Sequence, residues 1–325
     1  MTGPQVVVVG SVNMDLAVRV PHLPRPGETV PGGELEQGGG GKGANQAVAV
    51  RRLGARSALI ARVGDDEFGH RLRAELAEAG VEVAGVGTAG VATGTALIVI
   101  GPDGDNTITV SPGANAALDP AVLDDHSGRL VTADALLLQL EVPVATCLAA
   151  ARLARAAGVL VVLNAAPLPA TIGAELRELI AAADVLVVNE VEAAGLIGPP
   201  GDLPVLELPS ALGRFGPSEV VVTLGSRGAV HTGPDGSGDV HVPAFAVAAV
   251  DAVGAGDAFC AALAVARADG TTPLGAAVRR ACAAGALATT GRGARAALPT
   301  GAEVDALLAR QGGAEGADGA TGTAS

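Results

Sequence analysis

The sequence predicts a three-layer α/β/α domain, in which helices cover both faces of a mostly parallel central sheet, together with a small β-sheet lid. Short aliphatic runs alternate along the chain with Ala- and Leu-rich stretches, and these runs are apolar throughout rather than at every second residue. Strands of that kind are buried on both faces, as in a parallel sheet covered by helices. The chain has 325 residues and 49% hydrophobic content, enough to form such a core without disulfides.

The elements of the main domain follow one another in βα order. Strands are expected at residues 6–9, 58–63, 135–138, 160–163, 185–188 and 220–224. Helices are expected at about 44–53, 65–79, 144–157, 172–183, 257–268 and 274–290, each ending near a glycine or a polar break. Together they predict one domain over residues 1–311.

Two segments depart from this alternation and predict the lid. Residues 16–20 and 28–37 lie between the first strand and the first helix, and residues 95–100 and 107–110 flank a turn that favours a hairpin. We expect about 14–37 and 95–111 to form a small sheet over the substrate. The pattern also allows these segments to extend the main sheet. Residues 312–325 are rich in Gly, Ala, Ser, Thr and acidic residues, which predicts a disordered tail.

The composition argues against several classes of partner. A net charge of −13, from 21 basic and 34 acidic residues, does not suit a nucleic-acid surface. No apolar stretch approaches the roughly 20 residues that span a bilayer, and the N-terminus lacks a signal-peptide pattern. The three cysteines, Cys147, Cys260 and Cys282, are widely spaced and suit buried thiols in a reducing compartment. We therefore expect a cytoplasmic protein that binds neither nucleic acid nor membrane.

Residues 251–259 read Asp-Ala-Val-Gly-Ala-Gly-Asp-Ala-Phe, a loop of small residues that leads into a helical pattern. Such small side chains let a phosphate approach the backbone, and the helix presents unpaired N–H groups to it. Gly254, Ala255 and Gly256 are therefore a candidate anion hole. Asp257 is a candidate base, although Asp at a helix start often serves only as a cap.

Residues 38–46 read Gly-Gly-Gly-Gly-Lys-Gly-Ala-Asn-Gln, a second glycine loop before a helix. The phosphate-loop pattern requires Ser or Thr after the lysine, and Gly43 stands there instead. Backbone amides left accessible by glycine, together with Lys42 and Asn45, suit a polyhydroxyl ligand better. The alternative is a flexible surface turn.

Residues 10–15 read Gly-Ser-Val-Asn-Met-Asp and follow the first strand, where ligands of open α/β sheets gather. Asn13 and Asp15 are two residues apart, so an extended chain directs both toward one ligand. Either residue could instead form a local turn.

These three segments, together and in this order, resemble the carbohydrate kinase family that contains ribokinase and adenosine kinase. The resemblance covers about residues 6–308. Gly-Gly-Lys-Gly-Ala-Asn-Gln and Gly-Ala-Gly-Asp-Ala-Phe are similar to the two signatures of the family. Further matches are Pro-Gly-Ala-Asn at 112–115, Gln-Leu-Glu at 139–141, Asn-Glu-Val-Glu at 189–192 and Thr-Leu-Gly-Ser-Arg-Gly at 223–228.

The resemblance implies a role for each matched residue. Asp257 accepts the proton of the attacking hydroxyl, and we expect its pKa to be ordinary and low. The implied sugar contacts are Asn13, Asp15, Gly41, Lys42, Asn45, Glu141 and Asp257. Glu192 helps to place Mg²⁺ through water, although Glu141 and Glu192 could equally be solvated charges. The implied ATP contacts are Asn189, Thr223, Gly225, Ser226, Gly228, Gly256 and Cys282.

The resemblance also implies K⁺ as an activator beside the anion hole, held by Asp251, Val253, Ala288, Gly291, Gly293 and Ala297. Ala252 stands where many relatives have Thr, and Ala297 stands where a hydroxyl is expected, which weakens this expectation. The four glycines at 38–41 replace bulkier residues, so we expect loose packing around the substrate. Relatives pair through their lids, which predicts a homodimer.

The implied reaction is transfer of phosphate from ATP to the 5-hydroxyl of D-ribose, giving ribose 5-phosphate and ADP. Deoxyribose, fructose, ketodeoxygluconate and a nucleoside remain as alternative substrates. A sugar acid would call for an arginine opposite its carboxylate, and no arginine is visibly placed for this. A non-catalytic sugar-binding protein on the same fold is a further alternative. A dehydrogenase is disfavoured because Gly-x-Gly-x-x-Gly does not follow the first strand.

Overall fold

The computed structural model describes residues 3–198, 203–233 and 237–318. The strands are β1 (Gln5–Val9), β2 (Asn13–Arg19), β3 (Leu35–Gly40), β4 (Arg56–Gly64), β5 (Glu82–Ala89), β6 (Gly94–Ile100), β7 (Asn106–Ser111), β8 (Ala135–Gln139), β9 (Leu160–Asn164), β10 (Val185–Asn189), β11 (Glu219–Thr223), β12 (Ala229–Thr232) and β13 (Asp239–Val242). The helices are α1 (Lys42–Arg52), α2 (Glu67–Glu78), α3 (Ser127–Val131), α4 (Val144–Ala156), α5 (Ala174–Ala182), α6 (Glu190–Ile197), α7 (Leu208–Gly213), α8 (Ala255–Arg267), α9 (Leu274–Ala288) and α10 (Gly301–Asp318).

Nine strands form the main sheet, in the order β13-β12-β11-β10-β9-β8-β1-β4-β5. Neighbours from β11 to β5 pair in parallel, whereas β12 and β13 pair antiparallel at one edge. All six predicted strands and all six predicted helices are present, with ends that differ by a few residues. The predicted fold class is therefore confirmed.

Helices cover both faces of the main sheet, as the apolar strands require. Val6 and Val8 of β1 pack into a core formed with α1, α2, α8, α9 and α10. Val7 and Val9 point the other way, into a core formed with α3 to α7. Because both faces are covered, ligands have access at the strand ends, where the loops after β1, β8, β10 and β11 lie.

The predicted lid segments form a separate four-stranded sheet in the order β3-β2-β6-β7. The alternative that they extend the main sheet is wrong. β3 begins only at Leu35, so within the segment 14–37 that is predicted to form part of the lid, residues 28–34 are not in a strand. Prolines and glycines recur between residues 24 and 33, and proline removes the N–H that strand pairing needs.

The C-terminal helix α10 runs to Asp318 and so covers residues 312–318, where composition predicts disorder. The rest of that predicted tail, residues 319–325, lies outside the described residues. Within the described ranges, no helix combines the length and the apolar character needed to cross a membrane.

Candidate active site

Asp257 lies at the start of α8 but does not cap that helix. The N-cap is Gly254, whose left-handed backbone (φ 83°) suits glycine. The Asp257 carboxylate instead accepts hydrogen bonds from two side-chain amides, Asn45 Nδ2 at 3.0 Å and Gln46 Nε2 at 3.0 Å. Only 5% of Asp257 is exposed. The alternative role as a helix cap is therefore wrong, and the carboxylate is held between α8 and α1.

The pKa of Asp257 is raised, contrary to the expectation of an ordinary low value. Burial is the largest cause, and the nearby Glu141 carboxylate raises the pKa further. Lys42 and the two amide donors, Asn45 and Gln46, oppose this increase. The result is a stronger base than a solvent-exposed aspartate, with three neighbours that favour its ionised form.

Lys42 is the only lysine in the sequence, and it is the first residue of α1. Burial lowers the pKa of its ammonium group, but the carboxylates of Asp257, Glu141 and Glu192 raise it, and the net shift is upward. Lys42 is therefore a permanent cation at neutral pH. Its charge lies among three carboxylates. Asp257 is the expected base, Glu141 is an expected sugar contact, and Glu192 is expected to help place Mg²⁺.

Glu141 holds the second glycine loop in place and is not a solvated charge. Its Oε2 accepts hydrogen bonds from the Ser11 hydroxyl at 2.5 Å and from the Lys42 backbone N–H at 2.9 Å. Ser11 Oγ in turn accepts the Gly43 N–H at 3.3 Å. The loop after β8, the loop after β1 and the start of α1 therefore meet at one carboxylate.

Two glycines of this run, Gly39 and Gly40, are closely packed against other side chains of the protein, and loose packing around a bound substrate stays a prediction. A Cβ at Gly39 would overlap with the guanidinium of Arg295, and a Cβ at Gly40 would overlap with both carboxylate oxygens of Asp15. Gly41 has φ +87°, in the left-handed region. The space that these glycines leave is thus occupied by charged side chains of the same site.

Asn13 and Asp15 lie side by side with Gly40 and Gly38 in the β2–β3 pairing and so share one face of the lid. Asn13 Oδ1 accepts a hydrogen bond from Asn115 Nδ2 at 2.6 Å. Burial raises the pKa of Asp15 to about 6, an effect that Arg295 opposes and that Glu141 and Asp257 reinforce. Neither Asn13 nor Asp15 has the role of a mere turn former.

Arg295 enters the same site from the loop after α9, although the sequence predicts no arginine there. Its Nε donates to Asn45 Oδ1 at 3.1 Å, and its Nη2 donates to the Gly40 carbonyl at 2.6 Å. Its Nη1 lies 3.8 Å from Glu75 Oε2, and 14% of the side chain is exposed. Burial lowers the pKa of Arg295 to about 10, and the carboxylates of Glu75 and Asp15 oppose that decrease.

Further amides support the base from the side away from Arg295. Gln139 Nε2 donates to Gln46 Oε1, and Gln46 Nε2 donates to Asp257 and also, at 3.3 Å, to Asn164 Oδ1. Gln139 and Gln46 have no exposed surface, and 8% of Asn164 is exposed. This buried amide chain fixes the orientation of the Gln46 side chain.

The residues expected to contact ATP lie around the ends of β10 and β11. A Cβ at Gly256 would meet no atom within 4 Å, so the N-terminus of α8 is open to an anion. A cleft of about 490 Å³ is lined on one side by Leu224, Ser226 and Arg227 and on the other by Pro243 and Ala244.

The remaining predicted ATP contacts are placed less directly. Thr223 ends β11, with its hydroxyl 3.3 Å from the Val188 carbonyl, and Gly225 and Gly228 both have positive φ. Cys282 is buried on α9 and is not part of the cleft lining, and burial raises the pKa of its thiol to about 12.

Asn189 and Glu192 form a reciprocal capping box at the start of α6. Glu192 Oε2 accepts the Asn189 N–H at 2.8 Å, and Asn189 Oδ1 accepts the Glu192 N–H at 2.8 Å. Burial raises the pKa of Glu192, while the Asn189 N–H and the charge of Lys42 oppose that shift. Glu192 therefore has a defined orientation and lies close enough to Lys42 to interact with its charge.

The residues expected to hold K⁺ meet in two adjoining loops. Asp251 accepts the Val253 N–H at 3.0 Å through one carboxylate oxygen and the Gly293 N–H at 3.1 Å through the other. Ala288 ends α9, and Gly291 and Ala297 pack against one another. Within the described ranges, no three His, Cys, Asp or Glu side chains group as a metal site.

The structure thus brings Asn45, Lys42, Glu141 and Asp15 together with Asp257, whereas of the expected ATP contacts Ser226 alone is among the residues that line the cleft. Sequence reasoning missed the supporting polar residues, namely Ser11, Gln46, Asn115, Gln139, Asn164 and Arg295. Four of these six lie inside the motifs quoted from the sequence. Their position next to a candidate residue is the only feature of the sequence that could have identified them. Asn164 ends a strand, and Arg295 lies in a loop whose contact with the site only the fold reveals.

The fold and the carboxylate at the open N-terminus of α8 together define a class, the kinases that phosphorylate an alcohol. Residues 4–301 match the pfkB family of carbohydrate kinases. The chain therefore belongs to that family and is a carbohydrate kinase.

Individual relatives span nearly the whole chain. A ribokinase of Haemophilus influenzae is 34% identical over 296 residues, which cover 90% of this chain and 94% of that protein. A deoxyribokinase of Salmonella typhi is 33% identical over 302 residues, covering 91% and 95%. The structure of Arabidopsis thaliana ribokinase complexed with ribose and ATP is 32% identical, with a TM-score of 0.85 and coverage of 94% of this chain and 99% of that one.

Proposed function

We propose that this chain transfers the γ-phosphoryl group of ATP to the 5-hydroxyl of D-ribose, giving ribose 5-phosphate and ADP. The single observation that carries the proposal is the position of Asp257. Its carboxylate is held by Asn45 and Gln46 and lies at the open N-terminus of α8. A base placed between a polyhydroxyl site and an anion site is what phosphorylation of a sugar requires. Near-full-length ribokinase relatives support ribose as the sugar.

In this proposal Asp257 takes the hydroxyl proton while the hydroxyl oxygen forms a bond to the γ-phosphorus. The bond from that phosphorus to the β–γ bridging oxygen breaks, and ADP leaves. We assign stabilisation of the charge on the transferring group to the backbone N–H groups at Gly254, Ala255 and Gly256, of which the Ala255 N–H donates to the Ala252 carbonyl at 3.2 Å before ATP binds. The raised pKa of Asp257 favours proton acceptance, and Lys42 keeps the carboxylate ionised beforehand.

We assign the sugar contacts to Asn13, Asp15, Gly41, Lys42, Asn45 and Glu141, of which Asn45 is hydrogen-bonded to the Asp257 carboxylate. Asn13, Asn45 and Lys42 supply N–H donors, and Asp15 supplies acceptors, a combination that suits sugar hydroxyls. Most of these groups are already fixed by hydrogen bonds within the protein. A site organised in this way loses little side-chain freedom when it binds its substrate.

We assign the ATP contacts to Asn189, Thr223, Gly225, Ser226, Gly228 and Cys282, with Gly256 at the phosphate end; of these residues, Ser226 lines the cleft beside β11. Glu192 is the acidic residue available for Mg²⁺. One fixed carboxylate fits this ion, which keeps most of its waters in phosphoryl-transfer sites. When bound with ATP, Mg²⁺ neutralises phosphate charge.

We propose K⁺ activation through the loops that contain Asp251, Val253, Ala288, Gly291, Gly293 and Ala297. The groups that could ligate a cation there are one carboxylate and several backbone carbonyls, and a hard cation prefers such oxygen ligands. Ala252 and Ala297 contribute no hydroxyl. When bound, K⁺ supplies positive charge beside the anion hole.

We propose a homodimer formed through the lid sheet. Ile108 and Val110 on β7 are 53% and 48% exposed, and both lie on the face that carries Asp15. An exposed apolar sheet face is stabilised when a second copy covers it. The three free, buried cysteines suit a reducing compartment, which supports our proposal of a cytoplasmic location.

The test is an ADP-release assay with Mg-ATP and a panel of ribose, deoxyribose, fructose, adenosine and ketodeoxygluconate, each with and without K⁺. We expect ribose to give a kcat/KM at least about ten-fold above any other substrate, a difference of about 1.4 kcal/mol. Deoxyribose is the second candidate, because the Salmonella typhi deoxyribokinase is nearly as similar as the ribokinases. A preference for another sugar would replace ribose, and no turnover on the panel would favour a sugar-binding protein.

A further inference from the structure

Arg295 joins parts of the molecule that are far apart in sequence. It lies in the loop after α9, yet it donates to Asn45 on α1 and to the Gly40 carbonyl at the end of the lid strand β3. Its third contact is Glu75 on α2, 3.8 Å away. The side chain is thus fixed on three sides before any ligand binds.

The contact with Asn45 determines which way that amide faces. A guanidinium has donors and no acceptor, so only the carbonyl oxygen of Asn45 can pair with it. The Nδ2 group must then face Asp257, to which it donates at 3.0 Å. If the amide were reversed, its NH2 group would face the N–H donors of Arg295, and its oxygen would face the carboxylate oxygen of Asp257. Both contacts would be repulsive.

This orientation also limits what Asn45 can offer a substrate. Its Oδ1 is engaged by Arg295, and one of its two Nδ2 hydrogens is engaged by Asp257. The second hydrogen remains available for a sugar hydroxyl, which must act as the acceptor. Asn45 therefore contacts the sugar as a donor and holds the base with the same nitrogen.

Arg295 also acts on the sugar site through its charge. The groups that shift the pKa of Asp15 are Arg295, Glu141 and Asp257, and only Arg295 among these lowers it. The carboxylates that face Arg295 are Glu75, Asp15 and Asp257. Loss of the guanidinium would leave Asp15 with two like charges, and its pKa would rise further above 6.

We propose that Arg295 is a positioning residue, which orients the Asn45 amide toward Asp257 and places its positive charge beside the Asp15 carboxylate, since both side chains lie against Gly40. The inference deepens the proposed function and rests on it. Arg295 is assigned no contact with the substrate, and its two effects are separable because one depends on hydrogen-bond geometry and the other on charge.

Three variants separate these effects. Arg295→Gln keeps a side-chain donor for Asn45 but removes the charge. Arg295→Lys keeps the charge but loses the planar set of N–H donors of the guanidinium. Arg295→Ala removes both the charge and the donors. We expect Arg295→Ala to lower kcat/KM for ribose by about 10- to 100-fold, the scale of a small misplacement of catalytic groups. KM for ATP should stay within about two-fold, because Arg295 lies at the sugar end of the site.

The pH profile distinguishes positioning from a merely structural role. In Arg295→Ala and Arg295→Gln, the acid limb of kcat/KM for ribose should move to higher pH, since Asp15 then needs a higher pH to ionise. In Arg295→Lys the acid limb should stay in place while kcat falls. Arg295→Gln should recover more of kcat than Arg295→Ala does, because it can still orient Asn45.

Two further variants guard against misfolding. Gly39→Ala leaves Arg295 intact but displaces its guanidinium, and it should reproduce the fall in kcat/KM. Glu78→Gln changes an exposed carboxylate on α2, the helix that also carries Glu75, and it should keep wild-type activity. Thermal midpoints within a few degrees of wild type confirm folding.

The outcomes also separate this inference from the proposed function. Wild-type enzyme without turnover on ribose would contradict the proposed function. Active wild type together with unchanged kcat/KM and an unshifted acid limb in Arg295→Ala would overturn the inference alone. An equal loss of kcat/KM in all three Arg295 variants, with the acid limb at the same pH in Arg295→Gln and Arg295→Lys, would also overturn the inference. Arg295 would then have only a packing role.

Discussion

The carboxylate of Asp15 occupies the space that a side chain at Gly40 would need. These two residues lie on adjacent lid strands, β2 and β3, and the pairing brings Asn13 opposite Gly40 and Asp15 opposite Gly38. Asp15 can therefore lie over the glycine run, close to Arg295 and the base. Glycine is needed at residues 39 and 40 because the side chains of the polar site occupy the space that a Cβ would take, and not because the chain turns there.

Three neighbouring glycines provide a matched series. Gly40→Ala should displace Asp15, and Gly39→Ala should displace Arg295, so each should raise KM for the sugar by about ten-fold or more. Gly38→Ala is the control, because a Cβ there meets no atom within 4 Å. Steady-state kinetics on the three variants checks the prediction. Equal KM values in all three would contradict these contacts.

Asp257→Asn should remove the base while keeping the size of the side chain, although its amide nitrogen cannot accept a hydrogen bond and so loses one of the two donated by Asn45 and Gln46. We expect kcat to fall by about 10²- to 10⁴-fold, the usual contribution of general base catalysis. Binding of sugar and nucleotide, measured by calorimetry, should change little. Asp124→Asn, at an exposed position, serves as the control variant. A near-normal kcat in Asp257→Asn would exclude Asp257 as the base.

The raised pKa of Asp15 predicts a loss of sugar affinity in mild acid. Its carboxylate has a pKa of about 6, so it is ionised above that pH and protonated below it. KM for the sugar should therefore rise as the pH falls through about 6. Asp15→Asn should have weak sugar binding throughout and should lack this pH dependence. A KM for wild type that is constant between pH 5 and pH 8 would contradict the assignment.

Lys42→Ala should weaken sugar binding more than ATP binding. The loss of the ammonium group leaves Asp257 and Glu141 without their shared counter-ion. KM for the sugar should rise by about 10- to 100-fold, the scale of a lost charged hydrogen bond, whereas KM for ATP should stay within about three-fold. Arg73→Ala removes an exposed cation and should leave both values unchanged. An equal increase in both KM values would place Lys42 at the nucleotide instead.

Ile108→Glu should weaken the proposed dimer, because it places a charge on the exposed apolar lid face, at the edge strand β7. Sedimentation velocity would detect the change as a shift from dimer to monomer. Glu78→Ala, at an exposed position near the C-terminal end of α2, should leave the distribution unchanged. A wild-type protein that sediments as a monomer at all concentrations would contradict the dimer.

The strands that could be predicted are those buried on both faces, because a short, unbroken apolar run is typical of a strand between two helical layers. The strands β5 and β13 were missed because they form the two edges of the main sheet, where only one or two of their residues are buried. β12 was missed because it has only four residues. The short helix α6 was also missed, since its Asn-x-x-Glu pattern suits a ligand element as well as the capping box that it forms.

In the site, the residues found from sequence are those in short motifs whose local chemistry is distinctive, such as Lys42, Asn45 and Asp257. Their burial and pKa shifts could not be predicted, because these depend on how β8, α1 and α8 approach one another. Arg295 shows the limit most plainly. Its partner Asn45 lies 250 residues away, and its own surroundings in sequence resemble an exposed basic loop.

The single lysine of the chain gives the protein a built-in spectroscopic reporter. If ¹³C,¹⁵N-lysine is supplied during expression, the label enters at one side chain, and that side chain is Lys42. Its ammonium signal lies among the carboxylates of Asp257, Glu141 and Glu192. One resonance, in a protein without any mutation, would then follow the protonation of the site and the arrival of each substrate.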